Sequence, residues 1–232
     1  MKKICLITGV GPGTGGALVK RFVDGGYQVA MLARNVERLS AIAGDLPGAH
    51  SYPCDVTDEV ALGEVLAQIK ADLGAPSVLI HNAVGGAFGS FRDIEPEILE
   101  RNFQVNTMAL LHLTRALSPE MSKAGEGVIM ATGNTSAYRG KANFAMFAPS
   151  KAAQRILLES MARTLGPEGV HVAYVAIDAV IDVPRMREML PDAPDAFFCK
   201  PVDIADECFR VAHQPRSAWS FNVEIRPYGE NW

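Results

Sequence analysis

A compact apolar run, Ile4-Cys5-Leu6-Ile7, leads into Thr8-Gly9-Val10-Gly11-Pro12-Gly13-Thr14-Gly15-Gly16, after which apolar residues recur at helical spacing in Ala17-Leu18-Val19 and Phe22-Val23. Glycines in such a β-to-α turn meet three demands that a Cβ would defeat: a tight turn, close approach of backbone N–H groups to a diphosphate, and close packing of helix on strand. The helix N-terminus adds a field that favours an anion. A strand before the loop and a helix after it predict a nucleotide-binding turn; a glycine-rich turn without ligand is the plainer alternative.

A second chemical signal sits at the end of the next apolar segment, Ala33-Arg34-Asn35. A carboxylate there would accept bonds from a ribose 2′-hydroxyl, whereas a guanidinium pairs with a 2′-phosphate. Arg34 therefore favours NADP(H) over NAD(H). The alternative is an ordinary surface cation, placed uncomfortably near a helix start.

The elements that must hold these residues alternate between strand and helix. Strands are expected over Met1–Thr8, Gln28–Ala33, His50–Cys54, Ser77–His81, Gly127–Ala131, Val170–Val175 and Ser220–Ile225. Helices are expected over Val36–Ala43, ended by Gly44 and Pro47, then Asp58–Leu73, Pro96–Met121, Asn143–Leu165 and Pro201–His213. This βα alternation predicts an α/β fold of Rossmann type, a doubly wound, mainly parallel sheet with helices on both faces and right-handed crossovers. No linker interrupts it, so residues 1–232 read as one domain. Asp178–Lys200, rich in Pro, Asp and Met, reads as a mobile flap or helical lid over a substrate, and Arg226–Trp232 as a tail.

Composition narrows the ligand. With 232 residues, 48% hydrophobic and 21% charged, the chain can bury one substantial core. A net charge of −4 argues against nucleic acid or an anionic membrane as partner and for a small molecule. No apolar stretch reaches the roughly 18 residues of a membrane span. Met1-Lys2-Lys3 reads as the start of a strand and not of a signal peptide. Cys5, Cys54, Cys199 and Cys208 form no C-x-x-C pair, so neither a metal site nor a disulfide framework is indicated, and free thiols fit the cytoplasm.

Thr8-Gly9-x-x-x-Gly13-x-Gly15, followed by Asp55-Val56 and Asn82-Ala83, resembles the short-chain dehydrogenase/reductase family over nearly the whole chain. The resemblance implies that Gly9, Gly13 and Gly15, with Thr14 between them, hold the cofactor diphosphate. It implies that Asp55, beside Val56, reaches the adenine amino group, and that Asn82, beside Ala83, steadies the adenosine side. A turn or a cap of the following helix is the other reading of Asp55. His81-Asn82-Ala83-Val84 departs from the family's Asn-Asn-Ala-Gly.

The family's chemistry runs through four positions, and this chain keeps two. Phe147-Ala148-Pro149-Ser150-Lys151 stands where Tyr-x-x-x-Lys is expected. In the family the tyrosine exchanges the substrate proton, while the lysine binds the nicotinamide ribose and lowers the tyrosine pKa. Phe147 has no proton to exchange. The family serine falls on Asn134, with Thr135 and Ser136 following, and either Asn134 or Thr135 can donate to a carbonyl. Asn106 matches the asparagine that organises a water beside the lysine. Ile177-Asp178-Ala179-Val180-Ile181-Asp182 replaces the family's Pro-Gly turn and its carboxamide-contacting threonine. Asp178 and Asp182 read more readily as solvated turn carboxylates than as catalysts.

Two groups are candidates for stabilising the alkoxide that hydride transfer leaves. Tyr138, nine residues before Phe147, is one, with a packing aromatic as its alternative role; Lys151, acting directly or through water, is the other. His81 reads as structural. The expected function is NADP(H)-dependent hydride transfer involving a small, modestly apolar carbonyl, alcohol or activated alkene. The alternative is a catalytically weak NADP(H) sensor or regulatory protein. The long helices resemble those that join subunits in the family, which implies a homodimer or homotetramer.

Overall fold

The computed structural model describes residues 3–229; Met1, Lys2 and the Glu230–Trp232 end of the expected tail lie outside them. Seven strands form one parallel sheet: β1 (Lys3–Thr8), β2 (Tyr27–Ala33), β3 (Ala49–Pro53), β4 (Val78–His81), β5 (Gly127–Gly133), β6 (Val170–Ile177) and β9 (Asn222–Ile225). Their order across the sheet is β3-β2-β1-β4-β5-β6-β9. From β1 the chain winds outward to β3, then returns to place β4 on the other side of β1. The carboxyl ends of β1 and β4 therefore diverge at a switch point, the standard place for a ligand in a doubly wound sheet.

Side-chain alternation along β1 explains the two layers. Cys5 and Ile7 face α1 (Thr14–Asp24) and α8 (Pro201–Ala212), packing with Leu18, Phe22, Ile204 and Cys208. Leu6 faces the other way, toward a cluster with Leu62 of α3 (Glu59–Asp72), Leu113 of α5 (Ala109–Ala124) and Leu158 of α6 (Ala148–Leu165). The central strands are buried on both faces, as continuous apolar runs require. No helix among the described residues is long and apolar enough to cross a membrane.

Several expected boundaries move. The second helix, α2 (Val36–Asp45), continues through Gly44, where a side chain would meet open space, so nothing there forces it to stop. The expected Pro96–Met121 helix is α4 (Pro96–Phe103) and α5 joined by a π-helical turn at Gln104–Met108. The Asn143–Leu165 helix is corrected more substantially, because α6 begins only at Ala148. Proline is at home in the first helical turn, and Pro149 takes that place. Residues 141–147 instead form successive turns, pinned by a bridge between Phe144 and Gly89.

The expected flap is built from regular pieces. β7 (Val180–Ile181) pairs in parallel with β8 (Phe198–Cys199), and α7 (Pro184–Met189) lies between them. Arg187 fastens this segment. Its guanidinium makes a two-bond contact with Asp182 at 2.7 and 2.9 Å, reaches Asp195 at 2.7 Å and lies over the Phe198 ring.

Candidate cofactor and active site

A cleft of about 1220 Å³ opens at the switch point, between the glycine loop, the ends of β2 and β4, and the β7–α7 segment. Gly9 turns with φ +69°, and a Cβ there would stand 2.5 Å from Ala83 Cα, so the loop closes against the end of β4. Asn82 locks this contact: its Nδ2 donates to Gly9 O at 3.0 Å, and its Oδ1 accepts from Thr132 Oγ1 at 2.9 Å. A Cβ on Gly15 would lie 2.6 Å from Gly9 O and 2.8 Å from Val10 Cα. Gly13 approaches Val183, which places α7 beside the loop.

The donor set at this end fits a phosphate-bearing cofactor. Thr14 lines the cleft at the start of α1, and its Oγ1 is buried without a protein partner. A buried hydroxyl left unpaired is costly, and a phosphate oxygen is the acceptor this position lacks. No acidic residue occupies the first turn of α1 to repel an anion.

Arg34 lies at the rim, well exposed, with its Nη1 3.8 Å from Asp55 Oδ2. Asp55 Oδ1 accepts from Thr57 N at 3.0 Å and Thr57 Oγ1 at 2.8 Å. Burial pushes its carboxyl up, but the Thr57 bonds and the charges of Arg34 and Arg101 outweigh this and hold it below the usual range. The cap of α3 is Asp58, which accepts from Ala61 N, so Asp55 is free of that task. Val56 and Ala83 line the same cleft. Two further cations there, Arg38 and Arg101, were not singled out in the sequence. Arg38 lies in the first turn of α2, four residues after Arg34, and that proximity is the signal for it.

At the other end, His81 and Asn106 organise the backbone. His81 Nε2 donates to Val105 O at 3.0 Å, which leaves Nδ1 to accept from Thr8 Oγ1 at 2.9 Å; the Thr8 oxygen accepts from Ala83 N at 3.2 Å. Burial, and then the nearby Lys151 charge, push the His81 pKa down to about 3 against the opposing Val105 bond, so the ring stays neutral. Asn106 clamps Gly85: its Oδ1 accepts from Gly85 N, and its Nδ2 donates to Gly85 O and Ser150 Oγ. Lys151 is 1% exposed. Its Nζ donates to Thr132 O at 3.3 Å and Gln154 Oε1 at 3.0 Å, and burial lowers its pKa to about 7.

The remaining candidates divide. Phe147 packs edge-on against Phe88 and Phe144 and faces Gly86, forming an apolar wall. Asn134 turns its side chain back onto Ser136, accepting from the Ser136 N–H and hydroxyl. Thr135 donates to Asp178, whose other oxygen faces Arg139 and Arg226 at 3.6 Å each. Tyr138 is a correction to the expected approach toward the substrate: its hydroxyl points to Asn222 at 3.4 Å, with Arg155 over its ring, and it does not line the cleft. Asp182 is spent on Arg187. The packing role is therefore the one Tyr138 fills, against Tyr174.

Comparison with known proteins agrees with this architecture. Residues 3–192 match the family model described as short chain dehydrogenase. Escherichia coli 7alpha-hydroxysteroid dehydrogenase is 28% identical over 229 residues, covering 94% of this chain and 89% of that one. A metagenomic short-chain oxidoreductase solved in complex with NADP superposes with TM-score 0.84 at 27% identity, covering 97% and 96% of the two chains. An NADPH-bound short chain oxidoreductase from Pseudomonas aeruginosa, described as containing an atypical catalytic center, shares the fold at TM-score 0.88 and 23% identity, covering 99% and 97%.

Proposed function

Because this chain belongs to the short-chain dehydrogenase family, we propose that it is an NADP(H)-dependent oxidoreductase acting on a small, modestly apolar carbonyl, alcohol or activated alkene. The observation that carries the cofactor half of this reading is the glycine cradle closed on Ala83, with the Thr14 hydroxyl buried and unpartnered within it. The NADP bound in the metagenomic structure agrees with the Arg34 preference. When bound, the cofactor supplies or accepts the hydride.

The chain's own residues do the rest. Gly9, Gly13, Thr14 and Gly15 hold the diphosphate, Arg34 and Arg38 meet the 2′-phosphate, Asp55 with Val56 borders the adenine, and Asn82 with Ala83 fixes the loop. Lys151 would bind the nicotinamide ribose, and Asn106 keeps Gly85 and the start of α6 in register. Phe147 and Phe88 exclude water from one side of the reacting centre and favour an apolar substrate. With no hydroxyl at position 147 and Asn134 folded onto its own turn, the proton comes from solvent through the open cleft. Reduction of an activated C=C bond tolerates that source best, because the developing carbanion is already stabilised. The β7–α7 segment closes over the substrate, and α5 and α6 join copies into a cytoplasmic homodimer or homotetramer.

Arg34→Ala is expected to weaken NADPH binding by about tenfold to a hundredfold, the worth of one or two charge-assisted bonds, and to leave NADH binding unchanged. Parallel titrations of both cofactors check this. Equal loss for both would remove Arg34 from the 2′-phosphate.

Phe147→Tyr separates adaptation from decay. The new hydroxyl would find Asn134 turned away, so we expect carbonyl reduction across a substrate panel to change by less than about threefold. A gain of tenfold or more would identify a decayed dehydrogenase of the ordinary kind. NADPH binding without turnover of any hydride acceptor would instead favour the sensor reading.

A further inference from the structure

We infer that Gln154 is a positioning residue for Lys151, tying its amine to the π-helical turn and sealing it from protons on the interior side. The inference rests on the hydride-transfer reading for its purpose, though not for its geometry. Lys151 and Gln154 stand three residues apart on α6, 1% and 0% exposed. Gln154 Nε2 donates to Asn106 O at 2.6 Å, and Oε1 accepts from Lys151 Nζ at 3.0 Å. The orientation of the amide is determined by its neighbours: an ammonium or amine N–H must face the oxygen, and a backbone carbonyl must face the NH₂. Reversing it would oppose donor to donor and acceptor to acceptor.

This bridge holds Lys151 between two elements, α6 and the turn that carries Asn106, while Thr132 O of β5 takes a second amine hydrogen. A hydroxyl, a water or a carboxylate in place of the amide would pass a proton to the amine. A carboxamide does not titrate and passes none. His81 of β4 lies near Lys151, and its ring is neutral and committed to Thr8 and Val105. Asn106 and Thr132, which face the amine from the π-helical turn and β5, are uncharged, and Arg155 on α6 is turned to Tyr138 and Asn222. Lys151 thus serves as a fixed N–H donor, held between Gln154 and Thr132. Gln154 escaped sequence reasoning because its role depends on a carbonyl contributed 48 residues earlier.

The test follows the lysine directly in cofactor-free protein, using ¹³C at the lysine ε-carbon, with Lys151→Met to assign the signal. In wild type the Lys151 signal is expected to titrate near neutrality. Gln154→Glu, which sets a carboxylate against the amine, should raise that midpoint by about one to three units, and Gln154→Met, which removes the acceptor while keeping the volume, should lower it. If folded Gln154→Glu and Gln154→Met both leave the midpoint where it is, the inference is overturned; where only one variant folds, that one decides. Failure of the wild type to bind NADPH would sink the proposed function and leave these titrations interpretable, so the two are told apart.

Discussion

Replacing Lys151 by methionine is expected to stabilise the folded protein near neutral pH while abolishing hydride transfer. The amine is fully buried, and burial depresses its pKa from 10.5 to about 7. Between those values the unfolded chain binds a proton that the folded chain does not, so stability rises with pH across the window, and below the lower value the whole penalty is present. At 1.36 kcal/mol per unit, less about one hydrogen bond's worth for each of Gln154 and Thr132, Lys151→Met should gain about 2–4 kcal/mol at pH 6. The gain should shrink steadily as the pH approaches 10. Denaturant titrations of both proteins across that range check it. A gap that stayed constant with pH would mean that the amine is not the buried, neutralised group described here. A buried amine kept at such a cost, with no carboxylate partner among the described residues, fits the role proposed for Lys151.

Gly15→Val is expected to eliminate measurable NADPH binding. Its Cβ would enter within 2.6 Å of Gly9 O and 2.8 Å of Val10 Cα, and both obstacles are backbone, so the loop itself must move. That movement opens the cradle that positions the diphosphate, with a loss of more than about a hundredfold in affinity and about 1–3 kcal/mol in stability. Gly13→Ala is the internal control. Its Cβ would meet only the Val183 side chain, at 3.0 Å, which can give way, so binding should fall far less. Equal losses for the two substitutions would contradict the cradle geometry.

The β-to-α glycine turn and the alternation of strands and helices in a parallel sheet were legible because each rests on local pattern: apolar runs and a glycine spacing. What was not legible depends on partners distant in the chain. The start of α6 was placed at Asn143 by extending its apolar period backward, but the preference of Pro149 for the first turn and the Phe144–Gly89 bridge outweigh that period. Two two-residue strands, Val180–Ile181 and Phe198–Cys199, are too short to carry alternation, and only their pairing across α7 reveals them. Tyr138 stood at a suggestive spacing from Phe147, yet its hydroxyl points to Asn222 and its ring lies under Arg155. Asn134 Oδ1 accepts from its neighbour Ser136, a local turn that the spacing to Phe147 does not reveal.

Under the proposed function, Phe147 offers no hydroxyl, Asn134 Oδ1 accepts from Ser136, and Lys151 donates to Gln154. Phe88, Phe144 and Phe147 pack into a common wall, which suits the proposed reaction with its proton taken from solvent.

The central claim is that the cleft binds NADP(H), and a calorimetric titration of purified, cofactor-stripped protein with NADPH and with NADH at the same salt tests it most directly. The account predicts micromolar binding of NADPH with one site per chain and distinctly weaker binding of NADH. Binding of neither cofactor would contradict it.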